Sequence, residues 1–104
     1  ASLWDYAGTD RSRFIIALCE KEKESPDLLH FGVIRERLYE NGIELSEEDL
    51  SEDIEFLREL EIIDYNDDRR GGYYSLSIPL MGMWLLKQHD FATLKSRAVA
   101  ETEG

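Results

Sequence analysis

The chain has 104 residues, with 23 acidic and 12 basic side chains, and its formal net charge is −11 at neutral pH. A charge of this sign makes nucleic-acid backbones and anionic membrane surfaces poor partners. A hydrophobic content of 42% in a chain of this length predicts one folded domain with a modest core. The single cysteine excludes an internal disulfide and favours the reducing cytoplasm. No apolar run approaches the roughly 20 residues that cross a bilayer.

The first third of the chain predicts two helices. Residues 1–12 are a lead-in segment, and residues 13–23 form a first helix whose apolar face holds Phe14, Ile15, Leu18 and Cys19. Its last part, residues 20–24, should be solvated and charged, and Cys19 should be a buried, unreactive thiol. Residues 28–29 either form a short strand or begin the second helix, which covers residues 31–40 and ends at Asn41-Gly42.

The centre of the chain changes its hydrophobic period from helix to strand. Ser46 caps a third helix in which Leu50, Ile54 and Leu57 recur at helical spacing, and Phe56 and Leu60 widen the apolar stripe. Residues 62–65 are rich in β-branched and aromatic side chains, and residues 73–78 alternate between the two faces of a strand. The turn chemistry of residues 67–72 joins them into a hairpin, with Gly71 and Gly72 supplying positive φ angles.

The C-terminal part predicts further helix. Pro79 ends the last strand and opens a fourth helix over residues 80–89, which packs through Leu80, Met81, Trp84 and Leu85. Residues 90–104 are a C-terminal helical extension and tail, with helix to about Val99.

This order of elements over residues 13–89 resembles the winged helix-turn-helix domains. That is an α+β fold with a three-helix core, a β-hairpin wing and a C-terminal helix. The string Tyr74-Ser75-Leu76-Ser77-Ile78-Pro79-Leu80-Met81-Gly82-Met83-Trp84-Leu85 is similar to the last strand and closing helix of the winged-helix modules that lie C-terminal to P-loop ATPase domains of the AAA+ and STAND type.

The resemblance implies a regulatory or protein-interaction module, non-catalytic and C-terminal in a larger ATP/GTP-binding protein. Its partner would be another protein or an interdomain surface, including a P-loop ATPase domain of the same chain. The sequence has no G-x-x-x-x-G-K-[ST] loop, so no nucleotide-binding residue is assigned. The chain begins at Ala1, so either the initiator Met was removed or this is a piece of a longer protein, and we favour the piece.

A helix-turn-helix reads DNA with the helix that precedes the wing, and here that helix is strongly acidic. Arg58 stands in it against eight acids: Glu47, Glu48, Asp49, Glu52, Asp53, Glu55, Glu59 and Glu61. Carboxylates near phosphates oppose binding, so nucleic acid is an unlikely partner. The alternative is a DNA-binding transcriptional regulator that uses the wing, where Arg69 and Arg70 would contact the backbone.

The candidate functional residues therefore lie on predicted protein-facing surfaces. The acids of the third helix form either a merely solvated face or a docking surface for a basic partner, with Glu48, Glu52 and Glu55 as its candidates. Tyr73 on the outer face of the wing is a further candidate. Trp84 belongs to the core or, if exposed, is a binding anchor, and the fourth helix could form a homodimer.

Catalytic and metal chemistry have little support in the residues. Asp64, Asn66 and Asp68 alternate like the opening of a calcium loop, but the pattern fails at Arg69 and Ser75. His30 and His89 have no further ligands at a convincing spacing. We therefore expect no enzyme activity, no metal and no cofactor.

Overall fold

The computed structural model of the chain describes residues 9–23, 29–68, 71–77, 83 and 86–103. It shows a mixed α+β domain whose elements are α1 (Asp10–Lys21), α2 (Phe31–Glu40), α3 (Glu47–Glu59), β1 (Ile63–Asp68), β2 (Gly71–Leu76) and α4 (Phe91–Glu103). The predicted α+β class is confirmed, and the order of helices and hairpin is compatible with a winged-helix layout. Residues 1–8 of the predicted lead-in lie outside the described residues.

Helix α1 is the centre of the molecule. Every residue from Phe14 to Glu20 is buried, because α1 packs against α3, α4 and β2. The helix begins earlier than predicted, at Asp10, after Thr9 accepts a hydrogen bond from the backbone N–H of Ser12 at 3.0 Å. The prediction that Glu20 is solvated is wrong. Its side chain is buried and pairs with Lys23, 2.6 Å from Nζ to Oε1.

Helix α4 lies antiparallel to α1 and belongs to the same core. The rings of Phe14 and Phe91 have centroids 5.0 Å apart, and the other end of α4 meets the first turn of α1. There Glu101 accepts backbone hydrogen bonds from Asp10 at 2.8 Å and Arg11 at 3.3 Å. These two N–H groups have no partner within their own helix, so Glu101 acts as a cap from a distant element. The helix continues past Val99, to Glu103.

Helices α2 and α3 end in the same hydrogen-bonded cap. In α2, Ile43 donates to Leu38 O and Gly42 donates to Tyr39 O. In α3, Ile62 donates to Leu57 O and Glu61 donates to Arg58 O. Each is a Schellman motif, with the isoleucine buried beneath it. Ile43 and Leu45 of the turn between the two helices are buried and belong to the same hydrophobic core.

The hairpin pairs β1 with β2 in an antiparallel register that runs from Ile63 opposite Leu76 to Asp68 opposite Gly71. Gly71 has a φ of 112°, as expected for a turn residue. Gly72 was predicted to have a positive φ, but it is a strand residue opposite Asp67 and does not belong to the positive-φ glycines. Strand β1 is therefore longer than predicted, and β2 begins two residues earlier than predicted, at Gly71.

A short third strand segment pairs with the far edge of β2. His30 forms an isolated antiparallel bridge with Tyr73, and the backbone N–H of Tyr74 donates to Leu29 O at 2.9 Å. This favours the strand alternative for the segment before α2, although Leu28 itself lies outside the described residues. Tyr74 is thus bonded on the side of β2 that faces away from β1.

Half of the predicted fourth helix, residues 80–82, 84 and 85, falls outside the described residues. Met83 and residues 86–88 are helical, and Pro79, Trp84 and Leu85 are among those not described. Within the described part of the chain, no helix is long and apolar enough to cross a membrane.

Candidate functional site

The exposed side of α3 carries the predicted acidic candidates. Ser46 caps the helix by accepting from the backbone N–H of Asp49 at 3.1 Å, and Leu50, Ile54 and Leu57 turn one side of the helix into the core. Glu48, Glu52 and Glu55 are exposed, as predicted. Their spacing of four and three residues places them along one stripe of the helix surface. We call this stripe the acidic face.

Two side chains of α3 are placed differently from the prediction. Asp53 is buried rather than exposed, and it pairs with Arg11 of α1, with Nη2 of the arginine 3.0 Å from Oδ1. This hydrogen bond is the main reason that the pKa of Arg11 is raised. Phe56, assigned to the apolar stripe, is 37% exposed. The solvent side of α3 therefore gains an aromatic ring and loses one carboxylate.

The cations beside α3 are already engaged by acids. Nη1 of Arg58 lies 2.9 Å from Oε1 of Glu55, and its guanidinium lies 5.3 Å from the centroid of the Tyr65 ring. Nη1 of Arg35 lies 3.4 Å from Oε1 of Glu47, and its Nε donates to the Leu45 carbonyl at 3.0 Å. Because Arg58 offsets Glu55, the net negative charge of the acidic face comes from Glu48 and Glu52.

Two surface concavities flank α3. One, of about 360 Å³, lies between the C-terminal half of α3 and β1 and is lined by Glu55, Arg58, Glu59, Ile63, Asp64 and Tyr65. The other, of about 350 Å³, lies between α2 and the turn that follows it. We call the first the α3–β1 cleft. Tyr65 at this cleft is 43% exposed, and Tyr39 at the second is 67% exposed.

These exposed tyrosines were missed as candidates, and only one of them carried a usable pattern. Tyr39 lies off the helical stripe formed by Phe31, Ile34 and Leu38, so helical spacing could have placed it outside. Tyr65 shares a strand face with Ile63, which is buried. Alternation alone therefore predicts an inward position for Tyr65, whereas its side chain is 43% exposed.

The remaining candidates are distributed as follows. Tyr73 is half-buried, with its ring edge-on to His30 at a centroid distance of 6.3 Å, so it is only partly available to a partner. Arg69, Arg70 and Trp84 lie outside the described residues. The wing alternative for DNA binding and the Trp84 anchor both stay predictions.

Reactive groups in the described residues are occupied or buried. Burial raises the pKa of Cys19 to about 12, so its thiol stays protonated at neutral pH, as the predicted unreactive role requires. The ring Nδ1 of His30 lies 2.8 Å from Gly72 O. Asn66 donates to Ser75 Oγ at 3.0 Å, which makes it a cross-strand contact of the hairpin. No group of three or more potential metal ligands is found among the residues that the structure describes.

Comparison with known proteins gives no further assignment. The chain matches no protein-family profile, no curated protein and no solved structure at a significant level.

Proposed function

We propose that this chain is a non-catalytic winged-helix module that binds a basic protein surface through the acidic face of α3. The observation that carries this proposal is the exposure of Glu48, Glu52 and Glu55 on one stripe, beside an arginine that Glu55 already neutralises. In winged-helix proteins that bind DNA, the corresponding helix enters the major groove. Here that approach would bring carboxylates against phosphates, whereas lysines or arginines of a protein would be attracted.

The winged-helix assignment is supported by the arrangement of the elements. Helices α1, α2 and α3 precede the hairpin, and residues 29–30 pair with β2 as a short third strand would. Together with the resemblance of residues 74–85, this supports a module at the C-terminal side of a P-loop ATPase. The partner that fits best is then an ATPase domain of the same protein, in the cytoplasm.

The test measures binding to that domain. The coding sequence upstream of Ala1 is first read for a P-loop domain, and the lack of one would contradict the ATPase assignment. A domain found there is produced separately and titrated into this chain by calorimetry. We expect Glu48→Gln/Glu52→Gln/Glu55→Gln to weaken binding by about tenfold or more. Each charge pair across an interface contributes a fraction of a kcal/mol or more to the binding free energy, and the variant removes three such carboxylates. The matched control Glu36→Gln/Glu40→Gln/Glu103→Gln removes three exposed acids elsewhere and should bind like the unmodified chain.

A second measurement separates this proposal from DNA binding. Fluorescence anisotropy with a short duplex at low salt should show no complex tighter than about micromolar. A salt-dependent nanomolar complex, lost in Arg69→Ala/Arg70→Ala, would contradict the proposal and establish a DNA-binding regulator instead.

A further inference from the structure

The outer edge of β1 has backbone groups that find no partner strand among the described residues. Ser77 donates to Ile62 O at 2.8 Å, so positions 62 and 77 face each other through a hydrogen bond. Because bonded and non-bonded pairs alternate in an antiparallel ladder, Ile63, Tyr65 and Asp67 direct their N–H and C=O groups away from β2. The far edge of β2 confirms which pairs are non-bonded: Tyr74, which lies opposite Tyr65, directs its N–H away from β1 and donates it to Leu29 O. Among the described residues, no strand pairs with this outer edge.

The α3–β1 cleft lies along the same edge. Ile63, Asp64 and Tyr65 all line it, although successive side chains of a strand point to opposite faces. A space bordered by both faces must lie beside the strand, and no β2 residue lines it, so it lies on the open side. Its volume of about 360 Å³ is open to solvent between α3 and the strand. There is room beside β1 for a further extended segment.

The net charge around this edge is negative, although Arg58 also lines the cleft. Glu59 and Asp64 line the cleft, and Asp67 is exposed further along the strand. Glu55 also lines it, but Arg58 neutralises this carboxylate. Tyr65 adds an exposed ring, so the edge offers carboxylates and an aromatic surface together.

These charges favour a basic segment over a second copy of the chain as the strand that binds here. If a second copy paired through β1, Asp64 and Asp67 of both copies would be concentrated along one shared edge, and like charges that lie close across strands are destabilising. Acids on an edge strand are a known protection against such self-association. A strand that carries Lys or Arg side chains reverses the sign of the interaction.

We infer that the outer edge of β1 binds an extended, basic segment of a partner protein by strand addition. The segment's backbone bonds to Ile63, Tyr65 and Asp67, as in other edge-strand complexes. Its Lys or Arg side chains lie on the face of Asp64, within reach of that carboxylate, and the alternating apolar side chains lie on the opposite face, where they pack on Tyr65. This inference rests on the proposed protein-binding function and specifies the partner's conformation.

The experiment uses a defined peptide and the full chain. The probe is an octapeptide of alternating lysine and valine, acetylated and amidated, and the readout is amide NMR. We expect the backbone amides of Ile63, Tyr65 and Asp67 to shift and to exchange more slowly with solvent, and the affinity to fall with added salt. The fully N-methylated peptide keeps the charges but has no backbone donor, so it should bind at least about tenfold more weakly.

Two protein variants test the charge requirement. Asp64→Asn/Asp67→Asn changes only exposed side chains and should weaken the lysine peptide by about tenfold. The control Glu36→Gln/Glu103→Gln should bind within about twofold of the unmodified chain. Strand addition is overturned if the N-methylated peptide binds equally well, or if the amides of β1 do not respond. Neither result contradicts the proposed function, because Glu48 and Glu52 of the acidic face do not line the α3–β1 cleft and Glu48→Gln/Glu52→Gln tests the ATPase-domain contact separately.

Discussion

Arg11 and Asp53 form a two-pronged ion pair that joins the first turn of α1 to the middle of α3. Nη2 of Arg11 lies 3.0 Å from Oδ1 of Asp53, and Nε of the arginine binds the other carboxylate oxygen. The side chains are 24% and 11% exposed. The pair thus fixes α3 against the central helix, and it keeps the Asp53 carboxylate away from the solvent-exposed side of α3.

Breaking this pair should destabilise the fold without affecting partner binding directly. Asp53→Ala leaves a largely covered guanidinium without its acceptor, and we expect the free energy of unfolding to fall by about 2–3 kcal/mol. Guanidinium-induced unfolding followed by circular dichroism measures this. Glu52→Ala, at the exposed neighbouring position, should change it by no more than about 0.5 kcal/mol. Equal effects of the two substitutions would refute the structural role of the pair.

The two Schellman caps offer a comparison within one molecule. Gly42 and Glu61 hold the same left-handed position, with φ angles of 85° and 61°. Side chains other than glycine adopt this conformation at a cost of about 1 kcal/mol. We expect Glu61→Gly to raise the free energy of unfolding by about 0.5–1 kcal/mol, measured by chemical denaturation.

The reverse change at the other cap should have the opposite sign. A Cβ on Gly42 would lie 3.6 Å from Cγ2 of Val99, an ordinary contact, so Gly42→Ala should lose about 1 kcal/mol through backbone conformation alone. Glu52→Gly controls for glycine in a helix interior and should also destabilise. A destabilised Glu61→Gly chain would contradict the cap assignment.

Gly72 provides the surface on which the Tyr65 ring lies. A Cβ added at Gly72 would overlap the Tyr65 ring, and Tyr65 is the diagonal neighbour of Gly72 across the hairpin. Gly72→Ala should therefore displace the ring and lower stability by about 1–2 kcal/mol. In a Tyr65→Ala background the same substitution should have a smaller effect, which a double-mutant cycle measures. Additive losses would mean that the two residues do not interact.

The N-terminus of α4 should be sensitive to acid. The pKa of Asp90 is lowered from its ordinary value of 3.8, chiefly because the backbone N–H of Thr93 donates to its carboxylate, at 2.7 Å. A lowered pKa in the folded state means that this contribution to stability is complete above the unfolded pKa and is lost as pH falls through the folded one. Asp90→Asn keeps a cap without the charge.

The unmodified chain should therefore have a higher thermal midpoint than the Asp90→Asn chain at neutral pH. The difference should shrink on acidification below pH 3.8. A difference that is constant from neutral pH to about pH 2 would show that the carboxylate charge does not contribute.

Cys19 should be unreactive until the chain unfolds. Burial raises the pKa of Cys19 to about 12, so only about one thiol in ten thousand is ionised at pH 8. The side chain also lies in the hydrophobic core, on the buried part of α1. We expect a coloured disulfide reagent to label the folded protein negligibly and the guanidinium-unfolded protein completely. Rapid labelling of the folded chain would mean that α1 is less enclosed than its packing indicates.

The sequence predicted those features that depend on neighbours in the chain. The 3.6-residue period of Leu50, Ile54 and Leu57 places one side of α3 inside, Ser46 begins that helix, and Gly42 ends α2. The acidic surface of α3 follows from the same period, so Glu48, Glu52 and Glu55 could be named in advance. Local spacing and capping chemistry decide these outcomes, and both can be read from a few adjacent residues.

Tertiary packing decided the rest. Asp53 pairs with an arginine 42 positions away, and Glu20 is buried because α1 is enclosed on several sides at once. The position of the Tyr65 ring likewise depends on packing, since it lies over Gly72 and near the Arg58 guanidinium. The sequence by itself determined the α+β class, the order of the elements and the negative sign of the surface charge. Only the three-dimensional packing determined which acids are buried and which strand edge is left without a partner among the described residues, because burial depends on residues distant in the chain.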